Sequence, residues 1–235
     1  MQHVCLVTGA SKGLGRALSV ALAKHGYFVL VNYRSNKTEA GETLRLVKQH
    51  GDGALAQGDL LNQEDREAIF ATIRNQHKRL DVLINLVGDF HFKTMEETTV
   101  EDIEAVLCSN LSTMYACCRE ALPIMRKQKS GKIINFGAAG CEQPVLREKT
   151  TPYYLAKTGV LMLTQVMAAE EAKRNSSVTI NCISPGVLET SVAFPPGAPV
   201  VPLQEVVDAV LRLLDSDQNG QNIEVSRGWK PENQY

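Results

Sequence analysis

The sequence lacks any long apolar run. No stretch reaches the roughly 18–20 apolar residues that a membrane-spanning helix needs, and 22% of the 235 residues are charged. The opening segment "MQHVCLVTGA" leads directly into a predicted strand and does not have the layout of a signal peptide. We therefore expect a cytoplasmic protein that does not bind a membrane.

An excess of charge of one sign is also missing. The formal net charge is −1, so the chain lacks the basic footprint of a nucleic-acid-binding protein, and we expect no nucleic-acid partner. The six cysteines have no paired spacing of the kind that holds a metal, and most lie inside apolar segments. We interpret them as reduced core residues and expect no metal site.

The sequence does contain a regular alternation of short apolar segments with amphipathic stretches. This alternation predicts a parallel sheet with helices on both faces, that is, a single Rossmann-like, doubly wound α/β domain over residues 1–235. The proline-rich stretch 194–202 lies late in the chain, beyond a predicted strand, and is predicted to be a loop. The predicted strands cover residues 4–9, 27–33, 53–60, 80–88, 131–137, 178–186 and 221–228, and the predicted helices cover 14–25, 37–50, 64–77, 99–127, 153–174 and 203–215.

A glycine-rich segment, "TGASKGLG" at residues 8–15, joins the first predicted strand to the first predicted helix. Gly9, Gly13 and Gly15 allow a tight turn and a close approach of the backbone to a pyrophosphate, which the helix N-terminus then binds. Its position at the first strand–helix junction makes the pattern specific. The segment therefore predicts a dinucleotide site.

The end of the second predicted strand indicates which dinucleotide binds. NAD-binding proteins tend to place an acidic residue there, but this chain has Asn32-Tyr33-Arg34-Ser35. Arg34 and Lys12 are suited to a 2′-phosphate, and Asp59 to the edge of the adenine. We therefore predict NADP(H) as the cofactor.

The glycine-rich segment and "YYLAK" at residues 153–157 together resemble the short-chain dehydrogenase/reductase family. "NLVG" (85–88) matches the family's strand-4 motif only at its ends. "SNLS" places Asn110 at the family's helix asparagine, and "PGVLET" (185–190) resembles the stretch that lines the nicotinamide. By this resemblance the cofactor contacts Gly9, Ser11, Lys12, Gly13, Leu14, Gly15, Tyr33, Arg34, Ser35, Asp59, Leu60, Asn85, Val87, Gly88, Tyr153, Lys157, Pro185, Gly186, Val187, Leu188 and Thr190.

Tyr153 and Lys157 are one helical turn apart, so they share a face of the helix. A neighbouring ammonium favours the phenolate and lowers a tyrosine pKa, and a positioned phenol can donate a proton to a substrate. The resemblance implies that Lys157 also holds the nicotinamide ribose and that Asn110 supports a water that relays protons. Tyr153, Lys157 and Asn110 are therefore the predicted catalytic residues.

One departure from the family lies at Ala138, which aligns with its catalytic serine. Loss of one such hydrogen-bond donor costs roughly 10²–10³ in rate in other enzymes. Three interpretations stay open. A hydroxyl of Thr150 or Thr151, or a backbone N–H near Ala139, replaces the serine; the substrate is an imine or a quinonoid ring; or the protein binds NADPH and catalyses little.

The predicted activity is reduction of a small carbonyl compound or a 3-oxoacyl thioester by NADPH. The alternative is reduction of a pteridine or another C=N compound, because dihydropteridine reductases of the family look similar in lacking the serine. Phe90 and Phe92 are placed where an aromatic ring could stack on a flat substrate, or could serve only for packing. His91 could contact a charged substrate, but we interpret it as an exposed side chain. The last predicted strand, within "GQNIEVSRGW" (220–229), resembles the closing strand of family tetramers. By the resemblance we expect a homo-oligomer, a tetramer or a dimer, in which helices 99–127 and 153–174 form one interface and this closing strand another.

Overall fold

The computed structural model of the chain describes residues 2–142, 148–174, 176–191 and 198–227. Seven strands of this part form one parallel sheet in the order third, second, first, fourth, fifth, sixth, seventh. The strands are β1 (Val4–Val7), β2 (Phe28–Tyr33), β3 (Asp52–Gln57), β4 (Val82–Asn85), β5 (Gly131–Phe136), β6 (Val178–Pro185) and β7 (Asn222–Val225). All seven predicted strands and the parallel sheet are confirmed.

The strand order indicates where in the sheet a ligand-binding crevice lies. Strand β1 lies between β2 and β4, so the chain winds outward in both directions from this pair. In such open sheets, ligands bind outside the carboxyl ends of the strands at the point where the order reverses. Every residue of β1 and β4 is buried, as expected for central strands covered on both faces.

Helices cover both faces of the sheet, as predicted. One apolar cluster joins the sheet to the first, second and seventh helices, and the other joins it to the third, fifth and sixth. The helices are α1 (Gly13–Lys24), α2 (Lys37–Lys48), α3 (Gln63–Thr72), α4 (Val100–Leu107), α5 (Thr113–Gln128), α6 (Thr151–Lys173) and α7 (Leu203–Leu214). The architecture is therefore the predicted doubly wound α/β fold.

The helix predicted over residues 99–127 is divided into two. A π-helical turn, Cys108–Ser112, separates α4 from α5. Within it, the Asn110 side-chain amide donates to the carbonyl of Val106 at 3.1 Å, which competes with regular backbone pairing. A second π-helical turn, Ile73–His77, follows α3 and accounts for the end of the helix predicted over 64–77.

Two predicted segments lie partly outside the described residues. Residues 192–197 of the proline-rich loop region are not described, and from Ala198 the chain returns to the sheet, where Val201 N–H donates to the carbonyl of Val187 at 2.7 Å. Strand β7 ends at Val225, and residues from 228 onward also lie outside the described part. None of the helices in the described ranges is long and apolar enough to cross a membrane.

Candidate active site

The glycine-rich segment forms a tight turn between β1 and α1. Gly9 and Gly13 have positive φ angles of 60° and 55°, which suit glycine. A β-carbon on Gly15 would lie 2.6 Å from the carbonyl oxygen of Gly9, so this close packing also requires glycine. The sequence prediction of a turn at these three glycines agrees with this geometry.

The N-terminus of α1 opens into the crevice without a side-chain cap. No side chain bonds to its first N–H groups, and its first turn has no acidic residue. Side-chain caps are present on α2, α3 and α4, at Asn36, Asn62 and Thr99, whereas α5, α6 and α7 also begin without one. Uncapped N–H groups and the positive end of the helix dipole suit a pyrophosphate, so this site fits the predicted dinucleotide.

Two polar side chains that sequence reasoning missed hold the glycine-rich segment. The Asn32 side chain accepts from Gly9 N–H at 3.2 Å and donates to the carbonyl of Ala56 at 3.0 Å, so it connects three strand ends. The Thr8 hydroxyl accepts from Leu86 N–H at 2.8 Å. Polar residues inside apolar strands are the sequence signal that marks both positions.

The carbonyl of Ser11 is turned away from the crevice, towards α2. It accepts a hydrogen bond from the Arg16 guanidinium at 2.8 Å and another from the Thr43 hydroxyl at 2.9 Å. Arg16 also donates to Thr43 at 2.9 Å and pairs with Glu39 at 2.5 Å. These contacts fix the side of the segment that faces away from the predicted phosphate.

The residues predicted to hold the adenosine half lie at the ends of β2 and β3. The Arg34 guanidinium is exposed and lies 3.8 Å from the Asp59 carboxylate, so the two predicted side chains are neighbours. Tyr33 and Leu60 are buried, and the Tyr33 hydroxyl donates to Gln57. The side chains of Tyr33 and Leu60 therefore belong to the core.

Tyr153 and Lys157 lie on the first turns of α6 and face the carboxyl end of β5. The Lys157 ammonium lies 5.5 Å from the centre of the Tyr153 ring and donates to the carbonyl of Phe136 at 2.8 Å. Lys157 is only 6% exposed, and this burial lowers the pKa of its ammonium from 10.5 to about 8. The predicted pair is therefore brought together around a buried amine.

A cleft of about 500 Å³ connects this pair with the glycine-rich segment. Eleven residues predicted from the sequence line it, so one cleft joins the predicted cofactor site to the predicted proton donor. The lining also includes Leu86, Phe136 and Gly137, which sequence reasoning did not assign. The predicted residues in the lining are Gly9, Lys12, Gly13, Leu14, Gly15, Gly88, Tyr153, Lys157, Pro185, Leu188 and Thr190.

Asn110 lies beneath Gly88 at the edge of this cleft. Its amide nitrogen donates to the carbonyl of Asp89 at 2.9 Å, whereas its amide oxygen is buried and has no partner among the described residues. A β-carbon on Gly88 would overlap this oxygen.

Asn85 has a different environment, because its amide donates to Asn135 at 2.9 Å inside the sheet. Asn85 is thus a structural link between β4 and β5.

Ala138 contributes no hydrogen-bond donor through its side chain, and the described residues around it leave the replacement of a serine hydroxyl open. The N–H of Ala139 donates to the carbonyl of Pro185 at 2.9 Å, so this N–H already has a partner within the fold. Thr150 and Thr151 are not among the described residues that line the cleft. Hydroxyls in this lining belong to Tyr153 and Thr190. The Thr190 hydroxyl oxygen lies 3.5 Å from the position that a β-carbon on Gly13 would take.

The segment after β6 completes the wall of the cleft. Pro185, Leu188 and Thr190 line it, whereas Gly186 N–H donates to β7 at the carbonyl of Val225, 2.9 Å away. Val187 pairs with the returning chain at Val201. Gly186 and Val187 thus join this segment to neighbouring parts of the chain, and three of its other residues face the cleft.

His91 was expected to be exposed, and this prediction is wrong. Its side chain is largely buried, and Nε2 lies 3.8 Å from the Asp102 carboxylate on α4. Lys93 donates to the same carboxylate at 2.8 Å. The segment that carries Phe90 is therefore packed against α4, which the sequence pattern does not indicate.

Comparison with known proteins gives a consistent result. The family model described as short chain dehydrogenase matches residues 3–195. A 3-oxoacyl-[acyl-carrier-protein] reductase of Synechocystis sp. is 34% identical over 192 residues, which cover 81% of this chain and 76% of that protein. An uncharacterized oxidoreductase of Escherichia coli is 31% identical and covers 95% of this chain and 90% of its own length. The crystal structure of a candidate gluconate dehydrogenase from Agrobacterium tumefaciens superposes with a TM-score of 0.87 at 30% identity, covering 95% of this chain and 94% of that one.

Proposed function

The chain belongs to the short-chain dehydrogenase family of oxidoreductases, and from this premise we propose that it is an NADPH-dependent reductase of carbonyl compounds. The observation that carries the proposal is the single cleft that has an uncapped helix N-terminus at one side and the Tyr153–Lys157 pair at the other. A dinucleotide site and a proton donor in one cleft are the two parts that a reductase needs.

Several residues are suited to hold the cofactor. The N-terminus of α1 and the glycine-rich segment would bind the pyrophosphate, and Asp59 would face the adenine. Arg34, which is exposed, and Lys12 would bind the 2′-phosphate that distinguishes NADPH from NADH. When bound, NADPH supplies the hydride for the reaction.

Tyr153 is the proposed proton donor to the substrate oxygen. Its hydroxyl belongs to a side chain that lines the cleft, and the charged form of the Lys157 amine nearby favours the phenolate that remains after proton transfer. Lys157 would also hold the nicotinamide ribose. Asn110, whose buried amide oxygen has no partner in the described part of the chain, is suited to order a water beside Lys157.

The substrate proposal rests on the relatives and on the wall of the cleft. The relative from Synechocystis is named as a 3-oxoacyl-[acyl-carrier-protein] reductase, which supports a 3-oxoacyl thioester or a small ketone as the substrate. The absence of a hydroxyl at Ala138 favours the alternative, a pteridine or another C=N compound, because such an acceptor depends less on polarisation of an oxygen.

A homo-oligomer is part of the proposal. The exposed side chains Leu155, Met162 and Val166 form an apolar stripe on α6, and Tyr115 is exposed on α5. Apolar stripes of this kind favour burial against another copy of the chain. A monomer in analytical ultracentrifugation at micromolar concentration would contradict this part. We also propose that the enzyme acts in the cytoplasm.

The experiment that tests this proposal measures the rate of NADPH oxidation with three acceptors: an acetoacetyl thioester, a small ketone and a cyclic imine. We expect the wild-type protein to oxidise NADPH with at least one of them. The Ala138→Ser variant then separates the substrate classes. If its rate exceeds the wild-type rate roughly tenfold or more with the carbonyl acceptors alone, the natural substrate is one that needs little polarisation by the protein. Absence of NADPH oxidation in both proteins with all three acceptors would overturn the proposed function.

A further inference from the structure

An exposed aromatic ring stands beside the proposed proton donor. The Phe90 ring lies 4.9 Å from the Tyr153 ring with an interplanar angle of 75°, so the two make an edge-to-face contact. Phe90 lines the cleft and is nevertheless 44% exposed. A large apolar side chain that stays open to solvent inside a cleft is a surface on which a ligand can pack.

Hydrogen bonds hold the segment that carries Phe90 on both sides, so they fix the backbone position from which the ring extends. On one side, Asp89 N–H donates to the Ser109 hydroxyl at 3.2 Å, and Asn110 donates to the carbonyl of Asp89. On the other side, Lys93 N–H donates to the carbonyl of Lys149 at 2.9 Å. These bonds attach the residues around Phe90 to the segment just before α6 and to the π-helical turn after α4.

Phe92 differs from Phe90 in its environment. Its ring lies 6.2 Å from that of Phe90 and is not part of the described cleft lining. The Lys149 ammonium lies 5.7 Å from the centre of the Phe92 ring. Phe90 is thus the phenylalanine placed at the reaction site, and Phe92 is a similar exposed side chain outside it.

Near Ala138, the described residues offer little to polarise an isolated carbonyl group. Ala138 has no hydroxyl, and the N–H groups of Gly137 and Ala139 already donate to the carbonyls of Ile183 and Pro185, both at 2.9 Å. The site therefore combines one phenol with an open aromatic surface. This combination suits a substrate that spreads the negative charge of hydride addition over its own conjugated ring.

We propose that the substrate is a flat, conjugated carbonyl compound of the quinone class, whose ring packs against Phe90 while Tyr153 protonates its oxygen. This inference rests on the proposed function as an NADPH-dependent reductase. The hydride forms a new C–H bond at a ring carbon conjugated with the carbonyl group, the π electrons shift through the ring to the carbonyl oxygen, and that oxygen takes the Tyr153 proton. The product tautomerises to the hydroquinone, and solvent returns the proton to Tyr153, so the sum is quinone, NADPH and H⁺ giving hydroquinone and NADP⁺.

The first test measures binding without turnover. Isothermal titration calorimetry compares 2-naphthoate with decahydro-2-naphthoate, which has the same carboxylate and ring skeleton but is not flat, in the presence of NADP⁺. We expect the wild-type protein to prefer the flat compound, and Phe90→Leu to weaken its binding roughly three- to tenfold. Phe92→Leu is the matched control and is expected to change binding less than twofold. Equal affinity for both compounds, or an unchanged affinity in Phe90→Leu, would overturn the inference.

The second test measures turnover with 1,4-naphthoquinone and with an acetoacetyl thioester. We expect a higher kcat/KM for the quinone, lowered roughly three- to tenfold by Phe90→Leu and less than twofold by the control Phe92→Leu. Preference for the thioester, unaffected by Phe90→Leu, would overturn the inference and leave the proposed function standing. Equal rates in the wild type and Tyr153→Phe with both acceptors would instead contradict the proposed function, and the calorimetry would still decide the role of Phe90.

Discussion

The Asn110 amide oxygen occupies the space that a side chain on Gly88 would need. Gly88 ends the segment after β4 and lines the cleft, while Asn110 belongs to the π-helical turn between α4 and α5. The two residues thus bring the wall of the cleft and the proposed water-holding amide into direct contact. Only glycine at position 88 permits this arrangement.

Gly88→Ala is expected to displace Asn110 and lower kcat roughly tenfold or more, since misplacement of a catalytic group by a fraction of an ångström to one ångström is costly. Steady-state kinetics checks this change. Gly41→Ala is the control, because Gly41 lies within α2 with no atom near its β-carbon position. This control should keep full activity and gain about 0.5–1 kcal/mol of stability. A fully active Gly88→Ala enzyme would contradict the role given to the contact.

Arg34 is expected to distinguish the two nicotinamide cofactors. Its exposed guanidinium beside Asp59 is placed to bind a 2′-phosphate. Arg34→Ala should raise the Kd for NADPH roughly tenfold or more and leave the Kd for NADH nearly unchanged, as measured by cofactor fluorescence. Equal effects on both cofactors, or none, would show that the 2′-phosphate binds elsewhere.

Arg16 is expected to act on both cofactors alike. It holds the carbonyl of Ser11 away from the crevice and so fixes the direction of the neighbouring N–H groups, which would bind the pyrophosphate common to NADPH and NADH. Arg16→Met should therefore raise both Kd values by similar factors with little change in kcat. Arg45→Met is the control, because Arg45 pairs with Glu42 on the surface of α2. A selective loss of NADPH alone would contradict this assignment.

The sequence was sufficient to predict the features that depend on neighbouring residues. Apolar segments located the strands, glycines located the turn before α1, and the spacing of Tyr153 and Lys157 placed both on one helical face. Each of these follows from local geometry, namely strand burial, backbone freedom and the helical repeat.

Other features arise from contacts between residues distant in the chain, and no local pattern reveals them. The hydrogen bond from Lys157 to the carbonyl of Phe136 joins α6 to β5. The contacts of Arg16 and Thr43 with Ser11 join α1, α2 and the glycine-rich segment. For the same reason, burial of His91 against α4 could not be predicted, because its partner Asp102 comes from another element.

The buried amine of Lys157 predicts a pH dependence of stability. Burial lowers its pKa from 10.5 to about 8, so between these two values the unfolded chain binds more protons than the folded chain. The contribution of Lys157 to the free energy of unfolding therefore rises with pH between these two values. Below about pH 8 the amine is charged in both states, and the full cost of burying this charge lowers the stability. The Lys157→Met variant removes this cost.

Chemical denaturation of both proteins at several pH values measures the effect. From about pH 7 to about pH 10, the wild type should gain roughly 2 kcal/mol of unfolding free energy relative to Lys157→Met. Taking the difference between the two proteins cancels the titration of the other groups. A difference that stays constant over this range would contradict a lowered pKa for Lys157.

The central claim is that Tyr153 donates the proton, and an adjacent tyrosine offers a matched control. The Tyr153 and Tyr154 rings meet edge to face at 5.7 Å, and the Tyr154 hydroxyl lies 3.4 Å from the carbonyl of Ala139. The most direct measurement is the rate of NADPH oxidation at saturating NADPH in wild type, Tyr153→Phe and Tyr154→Phe, together with the Kd for NADPH of each. We predict that Tyr153→Phe lowers the rate by roughly 10²-fold or more, with its Kd within about threefold of wild type, and that Tyr154→Phe keeps most of the activity. A Tyr153→Phe enzyme that turns over as fast as wild type would contradict the mechanism.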